Sequence, residues 1–253
     1  ETSSPVVIIG SGMAAYTLAR ELRKLDADVC MHILTRDSGR AYAKPMLSNA
    51  IAKNKSADAL AMKNAAETAQ QLKATIDTGV EVTAIDRERS VVVTKQGETP
   101  YGRLVLALGA DQIVLPLEGD GVDGIVRVND LEEYGRFRAA LDGSEKRVTV
   151  LGAGLIGCEF ANDLCPAGHK VQVVDLAEWP LSRFVPREMG DALRDALAGQ
   201  GVEWHLGTTI VSVDRSGTGF FIVYNDRRDT TPVTPQDTLG RSFIIKYTRL
   251  IDF

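Results

Sequence analysis

Twice in this chain a short apolar run stops at a Gly-x-Gly turn, and a helical pattern begins at once. The first instance is Val6-Val7-Ile8-Ile9 followed by Gly10-Ser11-Gly12-Met13-Ala14-Ala15. The second, about 140 residues later, is Val148-Thr149-Val150-Leu151 followed by Gly152-Ala153-Gly154-Leu155-Ile156-Gly157. No other feature narrows the possible folds so far. A β-branched apolar run reads as a strand buried on both faces, which is typical of parallel sheets. Parallel neighbours need a crossover, usually a helix, so each run opens a strand–helix–strand unit. The returning strands are Val29 to Leu34 and Val171 to Val174.

The glycines have separate physical tasks. The first makes the tight turn, the second lets backbone N–H groups approach a pyrophosphate, and a third small residue lets helix and strand pack closely. The helix that follows presents unsatisfied N–H groups and a partial positive charge to that phosphate. A lone Gly-x-Gly-x-x-Gly is weak evidence; a preceding strand and a following helix strengthen it. The competing reading is a turn that shapes the chain and binds nothing. The fold class expected is α/β, with two Rossmann-like nucleotide-binding domains built on parallel sheets. Residues 1–112 form the first, 113–224 the second, and 225–253 an unassigned tail. The copies lie too far apart for a solenoid repeat.

Asp175 lies 23 residues after Gly152, at the end of the returning strand. A carboxylate there accepts hydrogen bonds from ribose hydroxyls. It is followed by Leu176-Ala177-Glu178, with no arginine to take a 2′-phosphate. NADH is therefore favoured over NADPH, unless Asp175 is only a solvated strand end. In the first half the strand ends Leu34-Thr35-Arg36-Asp37, so the acid is displaced.

Elsewhere, residues 13–25 predict a helix with Ala14, Leu18, Leu22 and Leu25 on its buried face. An alanine-rich helix is expected over 58–76, and antiparallel strands over 80–85 and 90–94. Leu104 to Leu108 reads as a buried strand ending at Gly109. Helices are expected over 131–141 behind an Asp130 cap, over 155–164, and over 188–198. A hairpin is expected over 208–224, turning at 216–219.

Composition removes several classes. The 253 residues are 44% hydrophobic, enough for a packed core and against disorder. A net charge of -5 disfavours nucleic-acid binding. Cys30, Cys158 and Cys165 form no Cys-x-x-Cys pair, and there are three histidines, so neither a disulfide scaffold nor a metal site is expected. No apolar run is long enough for a membrane span, and Glu1 to Ile9 does not read as a signal peptide, so the expected compartment is the cytoplasm. Oligomeric state is left open.

Several stretches carry a resemblance. They are Val7 to Ala14, Tyr42-Ala43-Lys44-Pro45-Met46-Leu47-Ser48, Lys53-Asn54-Lys55 with Leu60-Ala61-Met62, Leu104 to Ala110, Asn129-Asp130-Leu131-Glu132, and Leu151 to Leu164. Over roughly residues 5–215 the chain resembles the rubredoxin reductases, within the FAD-dependent pyridine-nucleotide oxidoreductases. The resemblance implies that Gly10, Ser11, Gly12, Met13 and Ala14 hold the FAD pyrophosphate. Leu34 and Thr35 would be cofactor contacts, with Thr35 near the adenosine. Lys44 and Pro45 would lie against the flavin, and the backbone of Val82 would meet the adenine. Ala107, Leu108 and Gly109 would pass the FAD. Gly152, Gly154, Leu155, Ile156 and Gly157 would hold NADH, with Asp175 at the ribose. Glu159 would point toward the flavin and nicotinamide, making Glu159 and Lys44 the catalytic candidates. A solvated loop lysine and an ordinary surface ion pair are the alternatives for these two.

The resemblance also implies the reaction: NADH reduces the flavin, which passes single electrons to rubredoxin or another small iron–sulfur carrier. Cys158 and Cys165 are seven apart, about two helical turns, so no dithiol relay is expected. The alternatives are a ferredoxin reductase of an oxygenase, a partner in a peroxide or nitrite system, or an NADH-binding module without catalysis. Family members resume the FAD domain after the NAD domain, with a Gly-Asp motif and a further C-terminal domain. Neither is recognisable here, so the chain reads as truncated at its C-terminus, with weak or absent FAD retention expected.

Overall fold

The computed structural model describes residues 4–112, 114–143, 145–216, 219–226 and 243–246. They fall into two compact units. One holds 4–44 and 58–110; the other holds 45–57 and the described residues from 111 onward.

The first unit contains, in chain order, β1 (Val6–Ile9), α1 (Met13–Leu25), β2 (Met31–Leu34), α2 (Ala57–Leu60), α3 (Ala65–Leu72), β3 (Thr75–Asp77), β4 (Val82–Asp86), β5 (Val91–Thr94), β6 (Gly97–Pro100) and β7 (Arg103–Leu106). Four strands form a parallel sheet in the order β3-β2-β1-β7. Strand alternation explains the continuous apolar run of β1. Ile8 packs with Ala15, Tyr16 and Ala19 of α1 on one face. Val7 and Ile9 pack with Leu34 and Val92 on the other. The antiparallel β4-β5-β6 sheet supplies that second cover.

Three expectations need correction here. The buried face of α1 is Ala15, Tyr16 and Ala19, while Leu18 and Leu22 only flank it. Ala14 is exposed, and Leu25 is 87% exposed. Ala15 and Ala19 let α1 lie close to the sheet, and Tyr16 is buried beside them with its hydroxyl donating to Gly39 O. The helix expected over 58–76 is α2, α3 and then β3. Asn64 begins α3 with a capping box, its side chain accepting from Glu67 N–H while Glu67 accepts from Asn64 N–H. Lys73, in the left-handed region with φ 47°, ends it. The alanine pattern is blind to both caps. The strand near 104–108 is not buried, since β7 lies at the sheet edge and Leu106 and Leu108 are exposed.

A 3₁₀ turn over Lys44–Asn49 carries the chain into the second unit, whose first segment is 45–57. There follow β8 (Val126–Arg127), α4 (Leu131–Leu141), β9 (Arg147–Leu151), α5 (Leu155–Leu164), β10 (Lys170–Asp175), α6 (Arg187–Ala198), β11 (Glu203–Leu206), β12 (Thr208–Ser216), β13 (Gly219–Asp226) and β14 (Phe243–Lys246). The sheet order is β11-β10-β9-β14-β8, all parallel. Val148 and Val150 of β9 are fully buried, as are Phe160 and Leu164 of α5 and Tyr134 of α4. Phe137 and Phe160 meet edge to face at 5.8 Å. As expected, Asp130 caps α4, accepting from Glu133 N–H at 2.7 Å. β12 and β13 form the antiparallel hairpin, with a bulge between Ile210 and Ser212.

The segment 45–57 is sewn to α4 and α5. The buried Asp163 carboxylate accepts from Ile51 N–H at 2.7 Å, and Tyr134 donates to Lys55 O at 2.7 Å. The stretch read as an unassigned tail contributes structure: Asn225 and Asp226 end β13, and β14 pairs with both β9 and β8. Three apolar residues and a lysine behind a long polar stretch give no sign of such a central place. The expected turn residues Gly217 and Thr218, and the rest of the tail at 227–242 and 247–253, lie outside the described residues. No helix among the described residues is long and apolar enough to cross a membrane.

Candidate dinucleotide sites

The two glycine turns fold alike. Ile9 lies opposite Leu34 in one sheet and Leu151 opposite Val174 in the other. Gly10 N–H then donates to Leu34 O at 2.8 Å, and Gly152 N–H to Val174 O at 2.9 Å. Gly10 and Gly152 have φ of 111° and 113°, a region that suits glycine. A Cβ on Gly10 would stand 2.2 Å from Ala107 O, and one on Gly157 would stand 1.9 Å from Gly152 O. The fold itself requires these three glycines. At Gly157's place the first unit has Ala15, fully buried against the sheet.

Gly12 and Gly154 differ. They cap α1 and α5 with ordinary extended backbone, φ −72° and −75°. A Cβ on either would meet nothing within 4 Å. Neither helix start has a side-chain cap or an acidic residue in its first turn. The two starts therefore offer unsatisfied N–H groups to open space, bordered by the exposed Met13 and Leu155. Nothing among the described residues needs glycine at these two positions. A pyrophosphate approaching the backbone does, so the residues present fit a dinucleotide at each turn.

In the first unit Gly10 to Ala14, Leu34, Thr35 and Ala107 to Gly109 gather at the carboxyl ends of β1, β2 and β7. Ala107 N–H donates to Ile9 O at 2.9 Å, and Val82 packs against the cluster containing Leu34. Thr35 is buried and occupies the register position that Asp175 holds in the second unit. The displaced acid, Asp37, accepts from Ser11 Oγ at 2.6 Å, Thr35 Oγ at 2.8 Å and Gly39 N–H at 2.8 Å. Lys44 closes the chain's first passage through this unit, and Pro45 already belongs to the second.

In the second unit Gly152, Gly154, Leu155, Ile156, Gly157 and Asp175 share one end of the sheet. Asp175 is bound locally. One oxygen accepts from Ala153 N–H at 2.5 Å and the other from Ala177 N–H at 2.7 Å. Ala153 O in turn accepts from Leu181 N–H at 2.9 Å. Glu159, on the next turn of α5, accepts a hydrogen bond from the buried hydroxyl of Ser48. Sequence reasoning missed Ser48 and Leu181, because only the folded chain brings them to α5 and the glycine turn. Asp37 and Ser11 are each visible in the sequence, as an acid near a strand end and as a turn residue, but their hydrogen bond is not.

The three cysteines are free. The Cys158 thiol is pushed up to about 12, first by burial and then by the charges of Asp175 and Glu159. It donates to Ala153 O at 3.5 Å and behaves as a packing group. Among the described residues no cluster of His, Cys, Asp or Glu could hold a metal ion.

The chain is similar to known proteins over most of its length. The chain is 44% identical to the rubredoxin-NAD(+) reductase of Alcanivorax borkumensis over 215 residues, which is 85% of this chain and 56% of that protein. It is 39% identical to a nitric oxide reductase FlRd-NAD(+) reductase of Aeromonas hydrophila, covering 89% of this chain and 58% of the other. A ferredoxin reductase structure from Rhodopseudomonas palustris superposes with a TM-score of 0.83 at 25% identity, over 98% of this chain and 59% of that one. The chain thus spans somewhat more than half the length of the relatives it matches. The model of the pyridine nucleotide-disulphide oxidoreductases matches residues 4–235, and the chain belongs to that family.

Proposed function

We propose that the chain is the dinucleotide-binding portion of an NADH-dependent flavoprotein reductase, carrying electrons from NADH through FAD to rubredoxin or a similar small iron–sulfur protein. The observation that carries this reading is the pair Gly12 and Gly154, two glycines that the fold does not need, each facing open space at an uncapped helix start. FAD belongs at the first turn, against Gly10 to Ala14, Leu34, Thr35, Val82 and Ala107 to Gly109. NADH belongs at the second, against Gly152, Gly154 to Gly157 and Asp175. When bound, the flavin accepts a hydride and releases electrons singly. The chain's own residues supply phosphate binding and orientation. Asp175 selects NADH, because a carboxylate is unfavourable beside a 2′-phosphate. Glu159 is the charged group proposed for the NADH site, and Lys44 is the one proposed for the FAD site.

The relatives' names support the acceptor class: one reduces rubredoxin, and the R. palustris structure is a ferredoxin reductase. That second name favours an oxygenase ferredoxin as the alternative acceptor. The reading assigns no cysteine a part, because Cys30, Cys158 and Cys165 form no Cys-x-x-Cys pair and burial pushes the Cys158 thiol up to about 12. The deciding experiment is an absorbance spectrum with added FAD, then NADH, then oxidised rubredoxin. Flavin bleaching by NADH followed by rubredoxin reduction supports the reading. NADH binding without any bound flavin leaves only a nucleotide-binding module.

A further inference from the structure

We propose that Asp37 is a positioning residue of the first glycine turn, holding it ready for its ligand through the hydroxyl of Ser11. The proposal rests on reading that turn as the FAD site. In the second unit the carboxylate at the strand end, Asp175, grips the turn directly, taking Ala153 N–H at 2.5 Å. In the first unit the same register position is Thr35, whose side chain has no charge. The carboxylate comes two residues later and reaches the corresponding turn residue by another route. Ser11 Oγ donates to Asp37 at 2.6 Å. Ser11 and Ala153 are the middle residues of their Gly-x-Gly turns, so both units clamp the same place, one through a side chain and one through the backbone.

The clamp is anchored on several sides. Thr35 Oγ, at the end of β2, lies 2.8 Å from the same Asp37 oxygen and 3.0 Å from Ser11 Oγ. Gly39 N–H donates to that oxygen at 2.8 Å. Tyr16 of α1 donates to Gly39 O at 2.5 Å, closing the circuit back to the helix that the turn begins. Ser11, Thr35, Tyr16 and Gly39 are all buried. Gly39 has φ 66°, and a Cβ there would stand 2.8 Å from Thr78 Cγ2, so the loop has little freedom. Burial, and then the Asp37 charge, push the Tyr16 hydroxyl up to about 12, so it remains a donor. A negative group near a phosphate site is tolerable when donors take up its charge, and Asp37 has three of them. A turn held in its binding shape loses less freedom when the ligand arrives.

The test uses the full chain and reads the turn without any ligand. Amide hydrogen exchange is compared at Gly10–Ala14 and at Gly152–Gly157 for the wild type, Asp37→Ala, Asp37→Asn, Ser11→Ala and the double Ser11→Ala/Asp37→Ala. Asp37→Ala and Ser11→Ala should each speed exchange at Gly10–Ala14 by about tenfold, the loss of one charge-assisted hydrogen bond. The double variant should add little to either, and Asp37→Asn, which keeps an acceptor oxygen, should stay near wild type. Exchange at Gly152–Gly157 should not change. FAD affinity, read by quenching of flavin fluorescence, should fall in the same order while NADH affinity holds. Unchanged exchange at Gly10–Ala14, equal loosening of both turns, or additive single effects would overturn the proposal. A wild-type chain that binds no FAD defeats the FAD assignment instead, and the exchange data still decide the role of Asp37.

Discussion

The hydroxyl of Ser48 donates to the carboxylate of Glu159 across 111 residues of sequence. Ser48 is 3% exposed and lies in the segment 45–57, which packs with the second unit. Its oxygen is also 3.2 Å from Pro45 O, so the local turn holds it in place. If Glu159 acts at the reacting end of the NADH site, Ser48 sets its direction. In the FAD-loaded chain, Ser48→Ala should slow flavin reduction by NADH about tenfold, the worth of one hydrogen bond to a charged group. NADH affinity should change far less, and Ser48→Thr should restore most of the rate. Stopped-flow absorbance separates the two quantities. An equal loss in affinity and rate would assign Ser48 to binding instead.

Asp175 is expected to do two jobs. It disfavours a 2′-phosphate, and it holds the turn through Ala153 N–H. The wild type should bind NADH more tightly than NADPH. Asp175→Ala should weaken NADH about tenfold or more and narrow the ratio, because the turn loses a clamp while phosphate repulsion also disappears. Asp175→Asn should narrow the ratio with a smaller loss of NADH affinity, since an acceptor for Ala153 N–H remains. Titrating both nucleotides by fluorescence checks this.

Asp163 gives a pH dependence. Burial raises its carboxyl above the ordinary 3.8, against the opposing pull of the Ile51 and Ala52 N–H groups. The folded chain therefore holds this proton more tightly than the unfolded chain. The stability linked to it is full below 3.8 and is lost as pH rises through the raised folded value. Asp163→Asn keeps an acceptor for Ile51 N–H without the buried charge. It should match or exceed wild-type stability at pH 7 and flatten the slope just above the ordinary carboxylate range. Asp163→Ala leaves two backbone N–H groups without their acceptor and should cost about 1–3 kcal/mol. Urea melts from pH 4 to 8 measure all three.

The elements legible in the sequence are those fixed by neighbours along the chain. Both strand–turn–helix starts, the Asp130 cap and the 208–224 hairpin depend on residues within a few positions of one another. What escaped depends on distance or on fine local geometry. β3 has three residues and owes its place to β2. β14 lies between β9 and β8 across a long sequence gap. The buried face of α1 is Ala15, Tyr16 and Ala19 rather than the leucine-spaced face, because the glycine turn sets how the helix meets the sheet. Of the candidate site residues, the glycine turns and the strand-end position of Asp175 could be placed from the sequence. Ser48–Glu159 and Ser11–Asp37 could not, because no periodicity links a loop hydroxyl to an acid on another element.

We propose a division of labour in which Gly154 is glycine for a ligand and Gly157 is glycine for the fold. Its most direct measurement pairs thermal melts with NADH titration of Gly154→Ala and Gly157→Ala. A Cβ on Gly154 meets open space, so Gly154→Ala should melt within a few degrees of wild type, a cap effect of about 1 kcal/mol or less. It should still lose NADH affinity about tenfold or more, because the methyl blocks the approach of the pyrophosphate. Gly157→Ala puts a Cβ 1.9 Å from Gly152 O and should lower stability by about 1–3 kcal/mol or more. If Gly154→Ala binds NADH as well as the wild type does, the glycine turn is only a turn, and the account of the second unit as a dinucleotide site is contradicted.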